Sequence, residues 1–388
     1  MQRKSLSAIT LAHVTVDMHT GSLAVLLPLL LSTFHLNYAA AAAIITANNI
    51  VIAFAQPLFG ILGDHKSFKW MVWAGCLLTG VAMVSVLWQP YYVLVIAAVI
   101  LSGIGSAMFH PESLSRVRVV SSSKIASATS FFFSGGNLGF ALGPILATLL
   151  TERLGRAGGL LMLVPTLVAV ALLFSQWRSI AQDSQKKTRL EASATGRPWL
   201  AAGLVAFLML LITLRSTVTT GLQTFIPLYF HHTGSLSRDG AAFLVTLLAI
   251  CGAAGTLTGG LAADRYGRKV TMATTALLGL GFLYVFLHSS GIAQMVSIGL
   301  AGASLSAAWP IIVVMIQEAM PGHVGLASGL SLGTSYGASG LGVAALGRFA
   351  DGFGLGSTMQ VLTLLPIAIF ALTLFVPERT AKPVAATD

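Results

Sequence analysis

Charge is scarce in this sequence. Asp, Glu, Lys and Arg together make up 9% of its 388 residues, against 55% hydrophobic ones, and so little polar surface cannot cover a water-soluble globule. Carboxylates are rarer still, 12 in all beside 22 lysines and arginines. The resulting charge of +10 does not mark a nucleic-acid binder, because the basic residues scatter over short loops and form no stripe with interleaved aromatics. Cysteine is nearly absent. Cys76 and Cys251 sit in separate apolar runs, which excludes a disulfide framework or a cysteine metal cluster and leaves both as packing residues. Also missing are a phosphate-binding glycine loop with its Lys-Ser/Thr, a Gly-x-Ser-x-Gly elbow, a His-Glu-x-x-His pair and any polar domain that could house an active site. The expectation is therefore no enzyme, no metal and no cofactor.

Apolar runs fill the sequence, whose mean hydropathy is +0.85. Each of the twelve runs is near the ~20 residues that a bilayer-spanning helix needs. They fall near Leu6 to Thr33, Ala40 to Leu62, Trp70 to Trp88, Tyr91 to Val117, Ile125 to Leu150, Gly158 to Trp177, Trp199 to Phe230, Gly240 to Ala263, Val270 to Leu287, Ile292 to Ile316, Val324 to Leu346 and Gly356 to Val376. The first run is too long for a removable signal peptide and lacks a small-residue cleavage site, so it should remain as a span. Placing both termini in the cytoplasm leaves only Arg153, Arg156, Arg238 and Arg348 outside, with Arg215 inside a span. That is the asymmetry the positive-inside rule demands.

The chain repeats itself. Gly260-Leu-Ala-Ala-Asp264-Arg265-Tyr-Gly267-Arg268-Lys269 has a fainter copy from Gly60 through Asp64 to Lys69, and each joins two apolar runs. Both read as tight polar turns whose glycine admits close helix ends and whose Asp can cap a helix N-terminus. Thr20-Gly21 with Pro28 answers Thr220-Gly221 with Pro227, and Ala107-Met-Phe-His110-Pro111 answers Ala307-Ala-Trp309-Pro310. The only long polar segment lies between these halves. The domains expected are residues 1–177, a cytoplasmic linker at 178–198, residues 199–377 and a cytoplasmic tail at 378–388.

Two parallel six-helix halves with that charged turn between the second and third spans resemble the major facilitator superfamily along the whole chain. The resemblance implies an all-α membrane protein whose halves rock about a midplane site and expose it to each side in turn. Gly139-Phe-Ala-Leu-Gly143-Pro144 resembles the fifth-span signature of that superfamily's proton-coupled exporters, with Ala147-Thr148 where the signature has two glycines. Gly135, Gly139 and Gly143 in the fifth span, and Gly329, Gly333 and Gly337 in the eleventh, recur every four residues. Such spacing lays a small-residue groove along a helix, fit either for a moving interface or for static packing. The gate is expected at Asp64, Gly260, Asp264, Arg265, Gly267, Arg268, Gly139, Gly143 and Pro144.

A proton-coupled carrier needs a titratable group that both sides can reach, and depth eliminates most of the acids. Asp17 and Glu112 remain. Asp17 lies about eleven residues into the first span, or roughly 16 Å along a helix, and His13 shares its face. A carboxylate at that depth should face the cavity and can load and unload a proton, or it can fix helix packing with His13. Pro111 is expected to break the fourth span. Glu112 stands four residues before Arg116, at ion-pair spacing, and His110 is a second titrating group or a hydrogen-bond donor to an anion. Arg215 is the one basic residue deep in a span, tolerated there by an acidic partner such as Asp17 or by an anionic substrate. Asn48, Asn137, Gln223 and Tyr336 can give a ligand hydrogen bonds or hold helices together.

The run from Gly103 through Phe109-His110-Pro111-Glu112 to Ser113, with Gly135-Gly-Asn137-Leu-Gly139, Gly143-Pro144 and Ala12-His13 before Asp17-Met18, looks like the fosmidomycin-resistance branch of that superfamily. Val16 stands where that branch has an Asn. The resemblance implies a bacterial inner-membrane protein, working as a monomer on protons and a small-molecule substrate. It would be a proton antiporter exporting toxic organic compounds such as phosphonate antibiotics. Proton symport of a small organic anion into the cell is the alternative.

Overall fold

The computed structural model describes residues 2–36, 38–65, 68–121, 124–181, 198–233 and 236–377. Hydrocarbon offers backbone amides no partner, so a chain this apolar satisfies them within helices, and among the described residues no strand occurs. The first half comprises α1 (Arg3–Phe34), α2 (Tyr38–His65), α3 (Met71–Ser85), α4 (Tyr92–Val120), α5 (Ile125–Leu161), α6 (Leu163–Ser175) and the short α7 (Trp177–Ile180). The second comprises α8 (Pro198–Thr233), α9 (Arg238–Tyr266), α10 (Arg268–His288), α11 (Gly291–Ala307), α12 (Trp309–Ala319) and α13 (Val324–Thr373). Most of the linker expected at 178–198, and all of the tail from 378, lie outside the described residues.

The two longest helices, α5 and α13, each bend at a glycine. Gly155 in α5 has φ 60° and Gly354 in α13 has φ 84°, a region that a side chain disfavours. Nine described stretches are long and apolar enough to cross a membrane. Two of them each hold two of the apolar runs, divided at these glycines, and α1 supplies one more, consistent with the twelve runs of the sequence.

The break expected in the fourth span is absent. α4 continues through Pro111, because Phe109, His110 and Glu112 beside it are all buried and close packing absorbs the loss of one backbone hydrogen bond. The interruption falls instead at the repeat-equivalent place in the tenth span, where α11 gives way to α12 at Ala308.

The two glycine grooves do different things. Gly135, Gly139 and Gly143 lay α5 against α1 inside the first half, so close that a Cβ on Gly139 would stand 2.0 Å from the Val14 carbonyl oxygen and one on Gly143 2.1 Å from that of Met18. Pro144 follows within the same unbroken stretch of α5. By contrast, Gly329 and Gly333 lay α13 of the second half against α2 of the first, facing the Gln56 and Ala53 carbonyls. Gly60 meets Gly325 backbone to backbone, and Gly260 on α9 meets Ala126 and Ser130 on α5. The halves thus meet along α2 with α13 and α5 with α9, while α1 is fixed to α5.

Adding a methyl at Gly139 must push α1 from α5, whereas a Cβ on Gly337 meets only Ala53 Cβ at 3.9 Å. Gly139→Ala is expected to cost about 1–3 kcal/mol and lower the melting temperature in detergent, with Gly337→Ala near neutral. Equal melting temperatures for the two variants would contradict this packing.

Candidate functional site

On α1, His13 and Asp17 are one helical turn apart, and α4 brings His110 to the same point. His13 Nε2 lies 3.1 Å from Asp17 Oδ2 and His110 Nε2 3.2 Å from Asp17 Oδ1. The two rings meet edge to face, centroids 4.9 Å apart. Both histidines are buried, and the Asp17 side chain retains 13% exposure. Room for the cluster comes from Gly136 on α5, where a Cβ would stand 2.4 Å from His13 Cε1 and 2.6 Å from Asp17 Oδ2.

The outer nitrogens decide what the inner ones can do. His13 Nδ1 is 2.7 Å from the Phe132 carbonyl oxygen and His110 Nδ1 2.7 Å from that of Ser106. A carbonyl only accepts, so each Nδ1 carries a hydrogen, and a neutral ring then presents a bare lone pair at Nε2. Asp17 offers only acceptors when ionised. Each contact with Asp17 therefore closes only around an added proton, on imidazole or on carboxyl. Among the described residues this is the one group of side chains with metal-ligand types gathered together, their ligand atoms within 4.8 Å of one another.

The expected pairing of Arg215 with Asp17 is corrected by the structure. Arg215 on α8 donates from Nε to the Leu305 carbonyl at 2.9 Å and lies over the Trp309 ring at 5.2 Å. No carboxylate of a described residue comes within ion-pair distance of it. Leu305 and Trp309 flank the junction of α11 and α12, one helical turn apart and so on one face. The indole face stabilises a desolvated guanidinium, whose remaining N–H groups stay available.

Aromatic rings join the two places. His13 stacks on Phe132 at 4.0 Å, Phe132 meets Phe133 at 5.6 Å, and Phe133 meets Trp309 across the seam at 5.6 Å. Tyr336 on α13 is partly exposed and within electrostatic reach of Asp17. The other polar candidates scatter. Asn137 bonds to Thr256 across the seam at 3.2 Å, Asn48 is buried beside Gly103 on α4, and Gln223 is exposed on α8. Glu112 and Arg116 make their intrahelical pair at 2.8 Å, both buried.

The repeated turns reach across to the opposite half. Asp64, closing α2, accepts from the backbone N–H of Gly325 and of Leu326, both at 2.8 Å, at the start of α13. Its counterpart Asp264, closing α9, accepts from Ser127 N at 3.1 Å and from the Ser127 hydroxyl at the start of α5. A carboxylate at a helix N-terminus satisfies orphan amides and complements the dipole. Gly267, with φ 91°, turns the chain from α9 into α10. Arg268 grips Glu318 on α12 through two N–H donors at 2.5 and 2.9 Å, and Arg265 lies over Tyr266.

Sequence reasoning missed three contributors. Gly136 was read only as part of a glycine-rich run, although a second glycine beside the regular four-residue series was the available signal. Trp309 was noted for the repeat alone. The third, Phe132, gives its carbonyl to His13 Nδ1 at 2.7 Å and its ring to the same imidazole, and carried no sequence signal.

Comparison with known proteins follows the same lines. The family model described as Major Facilitator Superfamily matches residues 9–237 and again 208–388. The fosmidomycin resistance protein of Escherichia coli is 29% identical over 388 residues, covering 97% of this chain and 93% of that protein. Among solved structures, the human organic anion transporter MFSD10 superposes with a TM-score of 0.74 at 16% identity, covering 96% of this chain and 99% of that one. The E. coli fucose:proton symporter FucP gives 0.71 at 14% identity, covering 96% and 98%. At these identities the structures establish the fold alone.

Asp64→Asn and Asp264→Asn each weaken a cap worth about 1 kcal/mol, and so are expected to shift the population joined at this end roughly fivefold. Spin labels on the turn-bearing ends of α2 and α13 should report a broader, longer distance distribution, with substrate affinity changing less than turnover. Unchanged distances in both variants would remove the turns from gating.

Proposed function

The chain belongs to the Major Facilitator Superfamily and is a multi-pass membrane transporter, and from that premise we propose that it is a proton-coupled antiporter exporting small anionic organic compounds. The carrying observation is Asp17 held between two Nε2 atoms whose rings are already committed to backbone carbonyls. In this reading His13, Asp17 and His110 load protons from one side and release them to the other. The gradient supplies the energy without a cofactor. Glu112, paired with Arg116, holds α4 in place for His110 and is the secondary candidate for proton transfer.

Arg215 supplies the anion grip. Two of its guanidinium nitrogens are not engaged by the Leu305 carbonyl, and a fork of that kind binds a phosphonate or carboxylate in two places. Tyr336, Asn137 and Gln223 are the neutral donors considered for the rest of the substrate, and Asn48 supports α4. The name of the E. coli relative supports a fosmidomycin-like cargo and a bacterial inner-membrane location, and the distribution of basic residues supports cytoplasmic termini.

Antiport is favoured over symport by the separation of Arg215 from Asp17. Had they paired, protonating Asp17 would release the guanidinium and proton and anion would travel together. With Arg215 free at either protonation state, a substrate group that donates a hydrogen bond to Asp17 takes the place of a shared proton. Proton and substrate then compete.

Proteoliposomes containing a pH dye test this directly. Substrate added outside without a gradient should alkalinise the lumen, and acidification would establish symport. Asp17→Asn should insert normally, abolish the pH change and leave any gradient-free exchange intact; full uphill transport by that variant would falsify the coupling site. Arg215→Lys is expected to weaken an anionic substrate roughly tenfold, about one charge-assisted hydrogen bond, with little effect on a neutral one. Equal affinity in parent and variant would make Arg215 structural.

A further inference from the structure

Away from Asp17, a groove of about 740 Å³ runs between α1, α5, α6 and α9. We propose that it is a binding site for one anionic glycerophospholipid of the leaflet at the turn-bearing end. Arg3 and Lys4 stand at its mouth, exposed and with no ion-pair partner among the described residues. Leu11, Val14 and Leu257 line its wall. Phe131, Leu138 and Leu172 are 40–50% exposed along it, so the groove is open to the bilayer along its side.

A phosphate held at the two cations leaves its acyl chains to lie along the apolar wall that α1, α5 and α9 provide. An anionic headgroup is selected because the mouth carries two cations and no acid, and each such cation near a membrane surface favours anionic over neutral lipid.

The walls come from both halves, since Leu257 on α9 faces α1 and α5 while Ser134 on α5 donates to the Ala253 carbonyl on α9 at 3.2 Å. A lipid seated here contacts both sides of the seam that Asp264 closes.

Native mass spectrometry of the full chain, delipidated in detergent and offered equal phosphatidylglycerol and phosphatidylcholine, tests the site. One phosphatidylglycerol should be retained in preference, by roughly fivefold for each cation. Arg3→Gln with Lys4→Gln should erase the preference, and Arg3→Lys should keep it. Leu138→Trp, which fills the groove without altering charge, should abolish retention. Equal retention of the two lipids by the parent, or a preference that survives the double variant, overturns the proposal. A preference that survives Leu138→Trp shows that the cations attract lipid without the groove and overturns it equally.

Discussion

A carboxylate buried among helices must be given hydrogens to accept, and the donors within hydrogen-bond distance of Asp17 among the described residues are nitrogens that carry none unless a proton is added. That constraint organises the first half. Gly136 exists as a glycine because the cluster occupies the space a Cβ would take. Gly139 and Gly143 hold α1 to α5 so that His13 keeps its place on the Phe132 carbonyl, and α4 stays helical through Pro111 with His110 anchored on Ser106.

The two charged turns show how a repeated sequence becomes a symmetric device without symmetric chemistry. Asp64 serves two backbone amides, and Asp264 serves one amide and a hydroxyl. The second turn adds the Arg268–Glu318 pair, while the first has Ser67 and Phe68 where the second has Gly267 and Arg268. Closure at this end rests on caps and close glycine contacts, interactions of modest strength that can be made and broken in each cycle.

Much of this was readable in the residues. Apolar runs, their division into halves, the repeated turns and the His13–Asp17 register all follow from periodicity and spacing. Two-body facts across distant segments did not. The i to i+4 rule places His13 beside Asp17 but says nothing of His110, which arrives only because α4 packs beside α1. Arg215 was assigned to Asp17 by the argument that a buried charge seeks an opposite one, and it found a carbonyl and an indole face instead, both supplied by an interruption whose position the sequence pattern put in α4. The regular series of glycines in α5 was legible as close packing, but spacing does not say which neighbour approaches, and that neighbour is α1 of its own half.

The proton cluster belongs wholly to α1 and α4, whereas the free guanidinium belongs to α8 with its rest on α11 and α12. On the proposed function, proton coupling and the grip on the substrate are separate parts of the molecule, linked by two phenyl rings and an indole instead of by a shared charge. Such a division lets the second half drift in sequence toward new cargoes while the first stays fixed, so chimaeras that exchange whole halves among relatives should inherit their energetics from one parent and their selectivity from the other.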